Sequence, residues 1–216
     1  GERLIFGKLK SPAGTHSKAH SHPNEQISLV LGGQVQMDVE GDKKTLVADD
    51  FSYRPPNAIH SAKVLEGEDF SFITAKDTAW GIQGNLATPE EAARQGGPDA
   101  VQHFYSVKEM EDRKAGEAYA DTHGAWIEGE RVIFGKLSIP AGTKAAPHSH
   151  PNEQMVIVLS GSFHMNIDGD ESTLVADDIA HIPPNAIHSG EVVGSEDYVF
   201  VTAKDTSWGI QGNPVK

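Results

Sequence analysis

The sequence predicts an all-β protein of two tandem antiparallel sandwich or barrel domains, joined by a linker with short helices. Three observations lead there. First, adding 128 to any position in Gly1 to Asn85 reaches a partner in Gly129 to Asn213 with no insertion or deletion, and 53 of these 85 pairs are identical. Two copies of one fold follow. Second, each copy is a series of short β-rich runs. In the first they are RLIFGKL, QISLVLGG, QVQMDVE, KKTLVA, FSYRPP, HSAKVLE and DFSFITA, with Gly32-Gly33, Gly41-Asp42 and Asp49-Asp50 as turns. That cadence suits an antiparallel sandwich or barrel. Third, helix-start signals are confined to the linker. Thr88-Pro89-Glu90-Glu91 reads as a capping box with proline at the first helical position, and Ser106-Val107-Lys108-Glu109 reads as another, running to a stop at Gly116. The expected division is residues 1–86, a linker over 87–128, and residues 129–216.

Composition sets the outer bounds. A chain of 216 residues with 38 % apolar content can bury one or two compact cores. A formal charge of −13 repels phosphate backbones, and no basic stripe with interleaved aromatics offsets it, so nucleic acid is excluded as a partner. No stretch approaches the roughly 20 apolar residues of a membrane span. Cysteine is absent, which removes disulfides, thiolate catalysis and thiolate metal sites. The cytoplasm is the default location. Copy 2 is preceded by HFYSVKEMEDRKAGEAYADTHGAWIE whereas copy 1 has no counterpart. A similar arm before the first copy is therefore the expectation for the native protein.

What the copies share is mostly turns and polar side chains. HSHPNEQ occurs at His20 to Gln26 and at His148 to Gln154, and PPNAIHS follows at Pro55 to Ser61 and Pro183 to Ser189. Two imidazoles, an amide and a third imidazole at one spacing, written twice, form two four-ligand metal sites. On a strand, residues of equal parity share a face, so His20, His22 and Gln26 point inward together while Glu25 points away. His60 closes the set from a later strand. The second set is His148, His150, Gln154 and His188. The expected cofactor is a divalent metal ion, two per chain, with Fe, Mn, Zn, Ni and Co all compatible.

Differences between the copies point to substrate contacts. Tyr53-Arg54 stands where the second copy has His181-Ile182, and Ser28 stands where it has Val156. The first pocket gains a guanidinium able to grip a carboxylate and a phenol able to carry a proton. His181 precedes a metal-site turn and is the extra histidine expected in a pocket. His16, His103, His123 and His164 read as structural or solvated. The Trp80 and Trp208 tails read as indoles packed over barrel ends. Lys76 and Lys204, next to Asp77 and Asp205, read as turn or ion-pair residues.

The two motifs resemble those of the cupins, G(x)5HxH(x)3-4E(x)6G and G(x)5PxG(x)2H. Gly14-Thr15 leads to His20, Gly33 closes the first motif, and Pro55 to His60 forms the second. The chain thus resembles a bicupin over nearly all of its length except the linker. That resemblance implies two small antiparallel jelly-roll barrels, each with one divalent metal at its mouth. Two departures matter: Gln26 and Gln154 stand where most cupins have glutamate, and Asn57 and Asn185 replace the turn glycine. The HxHxxEQ form is similar to the bicupin isomerases of the bacilysin pathway and to the cupins that convert unsaturated uronates.

Three histidines and a glutamine are neutral, so a bound dication keeps its full charge and acts as a Lewis acid toward an enolate or alkoxide. The expected function is a metal-dependent isomerase or lyase acting on a keto acid, uronate or similar small molecule. The alternatives are an Fe(II)-dependent dioxygenase cleaving a chelating diketone or catechol-like substrate, and a non-catalytic small-molecule-binding protein. Oxalate decarboxylation is disfavoured, because the carboxylate ligand of that group's motif is missing. A small-molecule substrate and a homodimeric assembly are the partner expectations.

Overall fold

The computed structural model describes residues 1–93 and 101–215. The chain divides into two compact units, Ile5–Met110 and Gly1–Leu4 with Glu111–Lys216. Each unit is two antiparallel sheets facing across an apolar interior. In the first unit one sheet runs Leu4–Ser11, Phe70–Asp77, Gln26–Gly32, Asp50–Arg54 and Phe104–Ser106. The other runs Asp42–Leu46, Val35–Val39, His60–Val64, His16–Ser21 and Asn85–Leu86. The second unit repeats this with one extended sheet, because His123–Glu128 and Arg113–Lys114 add to the edge of Val132–Ile139.

The sequence pattern explains the strands. In Val35–Val39, Val35, Met37 and Val39 are buried while Gln36 is exposed, the period of two that lets a strand serve core and solvent at once. The hairpin to Asp42–Leu46 turns through Glu40 at φ 51° and Gly41 at φ 88°, and its repeat does so through Asp168 at φ 50° and Gly169 at φ 94°. Positive φ at both central residues matches the right-handed strand twist. Gly33 is required more strictly: its φ is 72°, and a Cβ there would stand 2.5 Å from the Asp69 carbonyl oxygen. Val30, Val35, Met37, Val39, Leu46, Val64 and Phe70 form the first core.

The linker departs from expectation. It is not a separate element: Phe104–Ser106 pairs with Asp50–Arg54 of the first unit, and the chain from Glu111 onward builds the second. Unsatisfied sheet edges recruited it. Pro89–Ala92 is a single helical turn closed by the expected capping box, with Glu91 N–H donating to Thr88 Oγ1 and Thr88 N–H donating to the Glu91 carboxylate. The second expected helix is only a 3-10 turn, Val107–Glu109, and Ser106 makes no capping hydrogen bond because it is already the last residue of a strand. Linker residues 94–100 lie outside the described residues. Among the described residues no helix is long and apolar enough to cross a membrane.

Gly1–Leu4 belongs to the second unit through Glu153. Its buried carboxylate accepts N–H bonds from Glu2 at 2.8 Å, Arg3 at 2.9 Å and Leu4 at 2.9 Å, and meets His181 Nε2 at 2.7 Å. Burial works to raise the Glu153 pKa, but the donors from Arg3, Glu2, His181 and Leu4 outweigh it and hold the carboxyl below its ordinary value. A carboxyl depressed in the folded state contributes stability that is present above its unfolded pKa and lost as pH falls through the folded one. Glu153→Gln should therefore cost about 1–3 kcal/mol near pH 7, since an amide cannot accept from all these donors. Denaturant titrations should show the gap to wild type closing below about pH 4; a pH-independent gap would contradict the charge account.

Candidate metal centres

The repeated motifs converge at one end of each barrel. In the first, His20 is the last residue but one of the strand His16–Ser21, where a register irregularity between Ser17 and His20 sets it opposite His60 at the start of His60–Val64. His148 and His188 pair in the same way after an irregularity between Ala145 and His148. Such bulges re-aim a side chain at a barrel rim. His22 lies in the connection to Gln26–Gly32, and Gln26 is the first residue of that strand. Shared parity from His20 to Gln26 requires one continuous strand. In fact the chain breaks at Pro23-Asn24, and Asn24 Nδ2 fixes the connection by donating to the carbonyls of Asp77, Trp80 and Gly81. This clamp accounts for the joint recurrence of PNEQ and WGIQG, and Asn152 repeats it.

The imidazoles of His20, His22 and His60 face one another with ring centroids 4.2, 4.9 and 6.3 Å apart, and those of the second trio 4.0, 4.9 and 6.4 Å apart. Every Nδ1 is committed to a backbone carbonyl two residues away: His20 to Lys18, His22 to Asn24, His60 to Ala58, His148 to Ala146, His150 to Asn152 and His188 to Ala186, all at 2.7–3.0 Å. A carbonyl can only accept, so each Nδ1 carries the proton and each Nε2 is left with a lone pair. Burial favours the neutral ring in five of them: it pushes His22 and His150 down to about 4 and His148 to about 3, and lowers His60 and His188 as well.

Gln26 Nε2 donates to Thr74 Oγ1 at 2.8 Å, so its oxygen is turned toward His22 Nε2, 3.0 Å away. Gln154 is held by Thr202, and its oxygen lies 2.8 Å from His150 Nε2. With no proton left on Nε2, two lone pairs face each other across this gap in each barrel. A cation resolves the conflict, and two donors roughly 2.1 Å from one ion stand about 3 Å apart. The donor sets therefore fit a divalent metal, with His20, His22, His60 and Gln26 to hold one ion and His148, His150, His188 and Gln154 the other. Among the described residues no trio of histidine, cysteine or carboxylate donors forms a finished metal cage; what is preset is orientation. Glu25 and Glu153 line neither cavity.

Behind the rims the barrels differ. The first opens into a cavity of about 560 Å³, the second into one of about 70 Å³. Val35 and Phe70 of the first are Phe163 and Tyr198 in the second, which fill the space. The segment carrying Ala115, Tyr119 and Ala120 adds a wall there, with the Tyr119 ring stacked on His148 at 3.7 Å and its hydroxyl accepting from Gly212 N–H. In the first barrel Arg54 is buried on the cavity wall, donating to Ser28 and Ser52.

Several expectations need correction. Tyr53 does not line the cavity: Ser52 and Arg54 face inward, so alternation turns Tyr53 to the other side of the sheet. His181 likewise faces outward and bonds Glu153, leaving Ile182 on the inner wall. Lys76 and Lys204 are not surface ion-pair residues. They are buried in the cavities, donating to the Ile82 and Ile210 carbonyls, and burial pushes them down to about 8 and about 7, with Arg54 adding to the effect on Lys76. Their parity was readable, since Lys76 pairs with Gln26 and alternates with Thr74. The Trp80 and Trp208 indoles remain about half exposed, and it is their tails' carbonyls that pack.

The cupin domain model matches residues 8–76 and 135–204. The chain belongs to the cupin domain family. H2HPP isomerase of Bacillus subtilis is 26% identical to this cupin over 160 residues, 73% of the chain, and the chain spans 60% of that relative's length. Among solved structures, AerE from Microcystis aeruginosa superposes with a TM-score of 0.72 at 18% identity, over 94% of this chain and 87% of the other. Bacillus subtilis oxalate decarboxylase, described with Mn(II) centres, gives a TM-score of 0.73 at 16% identity, over 96% of this chain and 70% of the other. These two likenesses are of fold.

If both donor sets bind, elemental analysis after full loading should find two divalent ions per chain, and His148→Ala should retain one. A ceiling of one in the wild type would mean that one set does not bind. Chelation should lower Tm yet leave a cooperative transition, because each barrel keeps its own apolar core; complete unfolding in chelator, seen by calorimetry, would make the ions structural.

Proposed function

We propose that this cupin is a metal-dependent enzyme, an isomerase or lyase acting on a small oxygenated molecule in the first barrel. The observation that carries the reading is a neutral donor set of three imidazoles and one amide at the mouth of an open cavity of about 560 Å³. A dication held there keeps its charge and supplies Lewis acidity toward a developing enolate or alkoxide. The residues do the rest. The Nδ1 anchors keep each imidazole in the ligating tautomer, and Thr74 holds the Gln26 oxygen toward the rim. Val30, Val35, Met37 and Phe70 give the inner cavity its apolar walls. Tyr53 being on the outer side, Lys76, buried on the wall beside Gln26, is the side chain we assign to passing a proton to a bound molecule. Similarity to H2HPP isomerase supports isomerisation over other chemistries, and the absence of Asp and Glu from either cavity lining among the described residues argues against an oxalate-decarboxylase-like site. The second barrel, with about 70 Å³ behind its rim, has room for an ion and little else, and serves stability.

With metal-loaded protein and a panel of keto acids and uronates, His60→Ala should abolish turnover while His188→Ala retains most of it. The reverse pattern would move the active site to the second barrel. Gln26→Glu should keep its metal yet slow the reaction about 10- to 100-fold, because a carboxylate cancels part of the ion's charge in a partly dry site; an unchanged rate would remove the charge argument. Turnover should consume no oxygen in an oxygen electrode, and stoichiometric uptake would make the enzyme a dioxygenase.

A further inference from the structure

Arg54 is the most conspicuous unexplained group in the molecule. It is 6 % exposed, and the partners of its guanidinium are the hydroxyls of Ser28 and Ser52. Its Nε is buried without a hydrogen-bond partner. Among the described residues no Asp or Glu lines the cavity it faces. Burial pushes the guanidinium down to about 9, so it remains charged at neutral pH. A buried cation without a counter-charge is costly, and proteins normally pair it. The second barrel shows that the fold does not need the charge: the corresponding positions are Ile182, Val156 and Ala180, a wholly apolar patch on the same wall.

The depth of the guanidinium is informative. Arg54 is paired with the rim residue Gln26, but its head reaches Ser28 and Ser52, the next inward-facing cross-strand pair. Two residues along a strand is about 6–7 Å. The charge therefore sits about that far below the row of metal-binding side chains, with Val30, Val35, Met37, Phe70 and Phe72 around and beyond it.

From this arrangement we infer that Arg54, with Ser28 and Ser52, is a carboxylate subsite, and that the substrate is a small monoacid with an apolar body whose reacting oxygen lies about 6–7 Å from its carboxylate. The acid end points into the barrel and the oxygen function meets the rim. A 2-oxo acid, whose carboxylate and carbonyl are adjacent, would instead place both on the rim and leave Arg54 unpaired. This inference rests on the first barrel being the working one, but binding can be measured without turnover, so it stands or falls apart from the proposed chemistry.

The test is calorimetric titration of the full-length, metal-loaded protein with 5-oxohexanoate, its neutral amide 5-oxohexanamide, and 2-oxohexanoate. Wild type should bind 5-oxohexanoate about tenfold or more tightly than the amide, and Arg54→Ile, which copies the second barrel, should erase that preference, a loss of ~1.4 kcal/mol or more. Binding of 2-oxohexanoate should be little changed by the substitution. Metal content and a melting curve confirm that the variant is folded; should it fail to fold, Arg54→Lys, which keeps the charge but loses the fork, should weaken 5-oxohexanoate several-fold. The inference is overturned if wild type binds acid and amide alike or binds neither, if Arg54→Ile leaves the preference intact, or if 2-oxohexanoate proves to be the ligand that depends on Arg54.

Discussion

Six short hydrogen bonds from Nδ1 to a carbonyl two residues away govern what either barrel mouth can do. Because donor and acceptor are so close in sequence, the imidazole tautomer is decided by local backbone shape. That shape in turn depends on turns that only a few residues can make. Asn57 and Asn185 hold the left-handed conformation at φ 65° and 64° just before His60 and His188, a position where Asn replaces the glycine of the family motif at modest cost. Asn24 and Asn152 tie the first-motif turn to the tail after the last strand. The recurring words of the sequence are thus largely the scaffolding of proton positions.

The two barrels then diverge by filling rather than by folding. Strand registers are conserved down to the irregularity beside the first histidine, while Val35 to Phe163 and Phe70 to Tyr198 put extra rings into the second interior. Three polar residues of the first wall are exchanged for apolar ones over the same positions. A duplicated fold can in this way keep two matching donor sets and leave open space behind only one of them, with no change in topology.

Much of this was legible in the sequence because it is periodic. The repeat, the strand cadence and the hairpin turns all follow from local pattern, as does the inward direction of Gln26 and Gln154. What pattern did not reveal depends on neighbours distant in the chain. Tyr53 and His181 looked pocket-facing because they adjoin the PPN turn, yet alternation from Arg54 and Ile182 places them outside. Lys76 and Lys204 carry the charge typical of turn and ion-pair residues, although their parity with Thr74 and Thr202 points inward. The second expected helix failed because Ser106 was claimed by a sheet edge of the first unit, a tertiary demand that no capping signal reveals.

The attachment of Gly1–Leu4 to Glu153 has a consequence for the order in which the molecule is completed. Donor and acceptor are separated by 149 to 151 residues. During synthesis the arm is made long before the carboxylate that receives it, so the second barrel can close on its own core first and accept the arm only afterward. The first barrel, whose last strand is Phe104–Ser106, has no such wait. Vectorial synthesis therefore favours finishing the ligand-sized cavity early and leaves the anchoring of the arm as a late step, dependent on Glu153 having emerged in its ionised form.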